Sequence, residues 1–288
     1  MLRQYETLLN WKLEPVRQSY DFRDTILYNI GVGASVDPAR DLALLYESAG
    51  PLTLPTMATV IGQRPMWMDD PALGIEWQKI VHGEQSVTIH TPLPPRGRIL
   101  SPERVAGVYD LGPGRGAIIR MEREIRDEKS DALYASLVTS YFLRGGGGFA
   151  GERPPQPDRA RAIPDRAPDI VADLPTRPDQ AVIYRLCGDT NPLHVDPDFA
   201  KRAGFPAPIL HGLCTYGIAA RAIIREACGN DPARLEGIDA RFSAPLFPGE
   251  TVRTEIWRLD SNLLAFRSRS AERDQIVLDH GSARLRAQ

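Results

Sequence analysis

The feature that most limits how this chain can fold is one long helix of small residues followed by four strand-like segments. Apolar residues recur at helical spacing from Leu213 to Ala227, and Gly229 with Asn230 supplies a helix end. The glycines and alanines along this helix would let strands pack close to its axis. Strands are predicted at residues 240–247, 251–259, 263–271 and 276–285. A central helix followed by an antiparallel meander indicates the α+β class.

The first half of the chain has the same kinds of element in a weaker pattern. Helices are predicted at 22–30, with Asp24 as a possible N-cap, and at 41–48. Strands are predicted at residues 86–91, 104–111, 116–126 and 132–142. The second half therefore repeats the first in the order of its elements, without detectable similarity in sequence. The glycines at 112–116 predict a turn between two strands, because no helix follows them as a nucleotide-binding loop would require.

A segment rich in glycine and proline separates the two halves. Gly145-Gly-Gly-Gly148 is followed by prolines at short intervals up to Pro178, and neither a regular helix nor a central strand is expected there. The segment predicts two domains of similar size. An N-terminal domain covers residues 1–150, a linker covers 151–164, and a C-terminal domain covers 165–288.

Composition and charge exclude several classes of protein. Apolar residues make up 42% and charged residues 25%, as in ordinary globular proteins, and the net charge is −2. Scattered positive charge gives no nucleic-acid footprint, and no apolar run approaches the length of a membrane span. Neither end of the sequence resembles a signal peptide or a peroxisomal address, so export is not expected. The three cysteines, Cys187, Cys214 and Cys228, lack zinc-type spacing, so a reducing cytoplasm is expected.

The residues with the clearest chemistry are Asp189 and His194. They are five positions apart, and Pro192 between them makes a continuous helix unlikely to form. Gly188 and Asn191 are turn-forming residues, so the chain is expected to turn and to bring the carboxylate and the imidazole together. Such a pair suits general acid–base catalysis, because histidine titrates near neutral pH.

Two other interpretations of this segment remain open from spacing alone. The first is an ordinary structural turn, since Asp-x-Asn-Pro is a common turn formula. The second is a metal site built from Asp189, Asn191, His194 and Asp196, although this set lacks a second cluster of ligands to close it.

The wider segment resembles the signature of a known family. Residues 184–194 read Tyr-Arg-Leu-Cys-Gly-Asp-Thr-Asn-Pro-Leu-His and are similar to the signature of the hydratase 2 proteins. This is the MaoC-like family, which includes the hydratase part of peroxisomal multifunctional enzyme type 2. The resemblance continues in residues 195–200, 203–205, 208–217 and 240–242, and reaches residues 31–34 and 81–85 in the first half.

The resemblance implies a fold and a reaction. Such proteins are double hotdogs, in which each repeat wraps an antiparallel sheet around a central helix. The N-terminal repeat has lost the catalytic motif and helps to form the acyl pocket. The family hydrates trans-2-enoyl-CoA reversibly to (3R)-3-hydroxyacyl-CoA without a metal or redox cofactor, and coenzyme A is part of the substrate. A homodimer is also expected, with no nucleic-acid or membrane partner.

The resemblance also assigns residues to the site. The catalytic pair falls on Asp189 and His194, with Asn191 as a third polar group, and the oxyanion-hole amide falls on Gly212. Since Gly212 precedes the long helix, its N–H would lie at the positive end of the helix dipole. Without the resemblance, Gly212 would be an ordinary glycine at a helix entry. Further substrate contacts are expected at His82, Gly83, Thr190, Pro192, Leu193 and Phe242.

Two of these contacts have simpler explanations, and two other functions compete. His82 could be a buried structural histidine, and Phe242 a core aromatic on an alternating strand. A hotdog thioesterase would cleave the same kind of thioester, but the Gly-Asp-x-Asn-Pro-x-His signature is typical of hydratases. A non-catalytic acyl-CoA-binding subunit would not need the Asp189 and His194 pair.

Overall fold

The computed structural model describes residues 2–64, 67–155 and 162–287. The helices are α1 (Leu2–Leu9), α2 (Phe22–Gly31), α3 (Pro38–Leu45), α4 (Gln180–Tyr184), α5 (Pro197–Arg202) and α6 (Gly212–Ala227). The strands of the first half are β1 (Val16–Tyr20), β2 (Ile80–Ile89), β3 (Gly97–Ser101), β4 (Glu103–Asp110), β5 (Ala117–Asp127) and β6 (Leu133–Leu143). Those of the second half are β7 (Ile170–Pro175), β8 (Leu235–Phe242), β9 (Thr251–Arg258), β10 (Leu263–Ser270) and β11 (Gln275–Leu285).

The described strands form one antiparallel sheet made of two equivalent halves. Its order is β1-β3-β5-β6-β2-β8-β11-β10-β9-β7, with β4 paired to β5. In each half the first strand, β1 or β7, lies at an outer edge of the sheet. The strands at the middle of the sheet are β2 in the first half and β8 in the second. The halves meet where β2 pairs with β8, with Glu84 opposite Arg241 and Thr88 opposite Gly237. The predicted double hotdog is confirmed.

The helix predicted after His211 is confirmed as α6, the central helix of the second repeat. Its residues are buried from Leu213 to Ile224. Gly217 shows why small residues are needed, since a Cβ there would lie 2.5 Å from Cγ1 of Val32. The Tyr216 hydroxyl donates to the Ile238 carbonyl of β8 at 2.6 Å, which ties the helix to the sheet. Among the described helices, none has both the length and the apolarity needed to cross a membrane.

The equivalent place in the first repeat holds only a short 3-10 segment, Pro55–Thr59, all of whose residues are buried. Arg123 of β5 donates to the carbonyl of Ile61 at 2.6 Å and to those of Ala58 and Thr59 at 3.0 Å. A longer helix would satisfy such carbonyls along its own axis, whereas here one buried guanidinium does so. The central segment of this repeat is therefore compact and ends early.

Several element boundaries differ from the sequence predictions, most of all the strand predicted at 86–91, which is β2 and already begins at Ile80. The strand predicted at 240–247 is β8, which ends at Phe242 because Pro245 and Pro248 interrupt the following segment. The helix predicted at 41–48 is α3, which begins at Pro38, a residue that fits the first helical position. The N-cap of α2 is Asp21, and Asp24 instead accepts the Asp21 N–H at 2.8 Å.

The predicted connector contains a strand that the sequence analysis missed. β7 alternates between exposed and buried residues and pairs with β9 at the edge of the sheet. Proline is tolerated on an edge strand, so Pro175 did not exclude one. Of the predicted linker 151–164, residues 156–161 lie outside the described part of the chain, and the domain boundaries stay a prediction.

The four glycines at 145–148 pack against the turn at 112–116. Asp110 organises this contact, because its carboxylate accepts the N–H of Gly112 and of Gly148 at 2.7 Å and that of Ala150 at 2.8 Å. These backbone donors lower the pKa of Asp110. Gly147 has no room for a side chain, since a Cβ would collide with the Gly112 and Gly116 carbonyls. The glycine clusters are thus structural, as predicted for the turn.

A buried ion pair joins the two repeats. Arg221 of α6 donates to Asp41 of α3 at 2.6 Å, and their side chains are 2% and 0% exposed. Burial raises the pKa of Asp41 and lowers that of Arg221, although each charge partly opposes this effect on the other. Both groups have lost their hydration, so each depends on the other for compensation.

Removing either partner of this pair is expected to destabilise the protein. Asp41→Asn or Arg221→Met leaves one uncompensated buried group and should lower the free energy of unfolding by about 3–5 kcal/mol, measured by urea denaturation. Arg40→Gln is the control, because Arg40 pairs with Asp37 at the surface and its loss should cost at most about 1 kcal/mol. Unchanged stability in both buried variants would contradict this role.

Candidate active site

The predicted turn between Asp189 and His194 is confirmed. The 3-10 segment Arg185–Cys187 ends at Gly188, whose φ of +129° is readily adopted only by glycine. Asn191 caps a second 3-10 turn, Pro192–His194, by accepting the Leu193 N–H at 3.0 Å. Asp189 accepts the Asn191 N–H at 3.2 Å. The carboxylate therefore lies at the start of this turn and the imidazole at its end.

His194 is held in one tautomer and is 8% exposed. Its Nδ1 lies 2.9 Å from the Ile209 carbonyl, which can only accept, so Nδ1 carries the proton and donates. In the neutral ring the lone pair is then on Nε2. Burial lowers the pKa of His194, although the bond to Ile209 and the Asp189 carboxylate act in the opposite direction. The ring is neutral at pH 7, with Nε2 able to accept a proton.

Gly212 is the first residue of α6 and is exposed. Its N–H has no partner within the helix, as at every helix start, and it lies at the positive end of the helix dipole. The Phe242 ring covers the α-carbon, since a Cβ on Gly212 would lie 3.1 Å from its Cδ1 and Cε1 atoms. Any side chain at this position would therefore press against that ring.

The first repeat reaches the site through His82. The pairing of Glu84 with Arg241 places Phe242 beside the bulge at Gly83, and the rings of His82 and Phe242 meet edge to face at 4.6 Å. Burial lowers the pKa of His82 to about 4, partly opposed by a backbone hydrogen bond at Glu84 and by Asp189. His82 is therefore a neutral ring at the border between the repeats.

The remaining predicted contacts lie on the outer side of the turn or in the sheet. Thr190 and Pro192 are exposed and Leu193 is half-buried. Gly83 occupies the bulge in β2, where a Cβ would lie 3.1 Å from the Ser140 carbonyl, so the backbone leaves little room for a side chain there. Substrate contact by these residues stays a prediction.

One site residue was missed from the sequence. His211 is the N-cap of α6 and is 1% exposed. Its ring stacks on that of His194, with centroids 3.7 Å apart and planes at 28°, and its Nε2 donates to the Asp189 carbonyl at 3.2 Å. The only signal was its place immediately before Gly212, which gives no indication of a contact with the distant turn.

Asp189, His194 and His211 also form a cluster that could be considered for a metal, since one ligand atom of each lies within 4.8 Å of the others. The stacked rings do not favour coordination, because lone pairs in nearly parallel planes do not converge on one ion. The predicted set also included Asn191 and Asp196, which instead cap the turn and α5 with their side-chain oxygens. The arrangement suits acid–base chemistry better than metal binding.

Comparison with known proteins matches both repeats. Residues 18–145 match the family described as MFE-2 hydratase 2 N-terminal domain, and residues 159–280 match the MaoC like domain. The 3-hydroxyacyl-thioester dehydratase Y of Mycobacterium tuberculosis is 43% identical, over 93% of this chain and 94% of that protein. A probable enoyl-CoA hydratase 2 of Dictyostelium discoideum is 36% identical, over 96% and 94%.

A solved structure extends this likeness to three dimensions. The MaoC-like dehydratase from Phytophthora capsici superposes with a TM-score of 0.86 at 34% identity, over 99% of this chain and 98% of that one. The relatives match along nearly their full length, and the two matched family regions correspond to the two repeats of the sheet. The chain therefore belongs to the MaoC-like hydratase 2 family, as a double hotdog in which the turn between Asp189 and His194 lies in the second repeat.

Proposed function

We propose that this protein reversibly hydrates trans-2-enoyl-CoA to (3R)-3-hydroxyacyl-CoA, in fatty-acid or related acyl-CoA metabolism. The observation that carries the proposal is the Asp189 and His194 turn, with the Nε2 lone pair of a neutral imidazole beside a carboxylate. Two relatives support the reaction class, since one is named an enoyl-CoA hydratase and the other a 3-hydroxyacyl-thioester dehydratase. These names describe the two directions of one reaction.

In the proposed mechanism, His194 is the base. Its Nε2 takes a proton from water as the water oxygen bonds to Cβ of the substrate, and the electron pair of the double bond moves toward the thioester. The imidazolium then returns the proton to Cα from the same face. Asp189 orients the water and stabilises the imidazolium, and Asn191 holds the turn that positions both groups. The substrate is neither oxidised nor reduced, so the step requires no redox cofactor.

The negative charge that develops on the thioester oxygen needs a donor. Gly212 N–H is suited to this, because it lies at the start of α6 and is left without an intrahelical partner. A preorganised amide of this kind typically lowers a barrier by about 3 kcal/mol. His82 and Phe242 would form the wall along which the acyl group lies.

The acid–base pair can be tested by isosteric substitution. Asp189→Asn and His194→Gln should each lower kcat for crotonyl-CoA hydration by roughly 10²- to 10⁴-fold, with the unfolding transition retained. His90→Gln is the control, since His90 is an exposed histidine at the far end of β2. Near wild-type hydration by both site variants would refute the mechanism.

The protonation of His194 predicts the pH dependence. Because its pKa is lowered, the ring takes up a proton only below the ordinary histidine range, so the active neutral form persists below pH ~6.5. kcat/KM should stay level through that value and decline as the pH falls further. An acid limb that falls already above pH ~6.5 would contradict a neutral, buried base.

Gly212 and Phe242 can be tested together. Gly212→Ala places a methyl group 3.1 Å from the Phe242 ring, which should displace the ring and hinder the thioester, lowering kcat/KM by roughly 10-fold or more. Gly212→Ala combined with Phe242→Leu should recover part of this loss, because the smaller side chain makes room. Full activity in Gly212→Ala would show that the substrate does not approach this amide closely.

The competing functions give different products from the same assay. A thioesterase would release free CoA, which a thiol reagent detects, and a non-catalytic binding subunit would turn over none of a wide enoyl-CoA panel. Increasing chain length and bulk in that panel defines the acyl group, and chiral analysis of the product tests the R configuration. An S product would refute the stereochemical assignment.

We also infer a cytoplasmic homodimer. Cys187, Cys214 and Cys228 are all free thiols, which supports a reducing compartment. Light scattering on the purified protein measures the mass in solution, and a monomer would refute the dimer.

A further inference from the structure

His211 connects two parts of the site that are far apart in the chain. Its main chain continues directly into Gly212, the first residue of α6. Its side chain donates from Nε2 to the Asp189 carbonyl at 3.2 Å, across 22 positions of sequence. The same ring stacks on His194 with a centroid distance of 3.7 Å.

We propose that His211 is a positioning residue, which sets the distance between the acid–base turn and the Gly212 amide. The inference rests on the proposed hydratase function and deepens it. One substrate must present its Cβ to Asp189 and His194 while its thioester oxygen reaches Gly212. A shift of about 1 Å between the two groups would cost on the order of 100-fold in rate.

The segment of residues 209–211, which leads into α6, supports this role because it contacts both ends of the turn. The Ile209 carbonyl receives the Nδ1–H of His194 at 2.9 Å, and His211, two residues later, holds the backbone of Asp189. Residues 209–211 therefore bind both ends of the turn. Since the same segment leads into Gly212, the turn and the helix start move as one unit.

The donor and the ring of His211 have separable effects. The Nε2–H fixes the Asp189 backbone, whereas the ring covers one face of His194 and keeps water from it. The titratable and charged groups around His211 are His194, Asp189, Arg185 and Tyr184, whose ring lies 4.9 Å away. Around His194 they are Asp189 and His211.

The charge state of His211 is compatible with this role. Burial and the neighbouring His194 lower the pKa of His211 to about 4, against the opposing effect of Asp189. The ring therefore stays neutral and adds no positive charge beside His194 when that residue takes its proton.

Two variants separate the donor from the ring. His211→Phe keeps the stacked ring but removes the donor, so kcat for crotonyl-CoA should fall roughly 10- to 100-fold with a nearly unchanged KM and an unchanged acid limb. His211→Gln keeps a donor but removes the ring, so it should retain more of kcat. Its acid limb should move to higher pH, because a more hydrated His194 has a pKa nearer the ordinary value.

A second measurement does not depend on turnover. The ring signals of His194, assigned by their loss in His194→Gln, can be titrated by NMR in each variant. We expect the pKa of His194 to be unchanged in His211→Phe and raised in His211→Gln. His90→Phe is the matched control, since it removes an exposed histidine whose Nε2 bonds the Ser136 hydroxyl.

Each outcome decides the matter. Wild-type kcat in His211→Phe, or an unmoved His194 titration in His211→Gln, would overturn the proposal. If both variants had the same lower kcat, a higher KM and a weakened unfolding transition, His211 would be a merely structural histidine. If the wild-type protein hydrates no enoyl-CoA, the proposed function fails, while the NMR titration still tests whether His211 sets the environment of His194.

Discussion

The pairing of β2 with β8 is the constraint on which the rest of the structure depends. It joins the strands of the two repeats into one sheet, in which the strand order of the second repeat mirrors that of the first. It also sets the register at the border between the repeats. Because Glu84 lies opposite Arg241, the ring of Phe242 meets His82 on one side and Gly212 on the other. A change of one residue in this register would turn these side chains to the opposite face. The position of the first repeat relative to the helix start of the second therefore follows from this pairing.

The two repeats share a strand order but differ in their central segments, and this difference agrees with the proposal that the chemistry takes place in the second repeat. α6 has 16 residues, so its aligned peptide dipoles produce a positive N-terminus. The 3-10 segment Pro55–Thr59 has only 5 residues, too few for such a dipole, and Arg123 binds the carbonyls around its end. The ion pair between Asp41 and Arg221 couples the repeats away from the turn. In the proposed mechanism the second repeat thus supplies the reacting groups and Phe242, and the first repeat adds His82 to the wall along which the acyl group lies.

Elements with strong local signals were predicted well, whereas strands that depend on pairing with a distant part of the chain were missed or misplaced. α5 carries such local signals, because Asp196 caps it and Pro197 fits its first position. The turn at Gly188 and Asn191 was also predicted from local backbone preferences. β7 was missed because Pro175 and the prolines that flank the strand imply a loop, unless the segment pairs at the edge of a sheet. The strand predicted at 240–247 was placed late, since the pairing that begins β8 at Leu235 is with β11 and leaves no local pattern.

The sequence by itself determined the turn between Asp189 and His194, since Gly188, Asn191 and Pro192 bend the chain there through their own backbone preferences. It also determined α6, through the periodicity of its apolar residues. Tertiary structure alone decided that His82 lies against Phe242 and that His211 holds the Asp189 backbone. The physical reason is that the turn needs only neighbouring residues, whereas these contacts depend on sheet register and on where a distant helix begins. Neither the sheet register nor the packing of the helix start can be inferred from the residues next to His82 or Asp189 in the sequence.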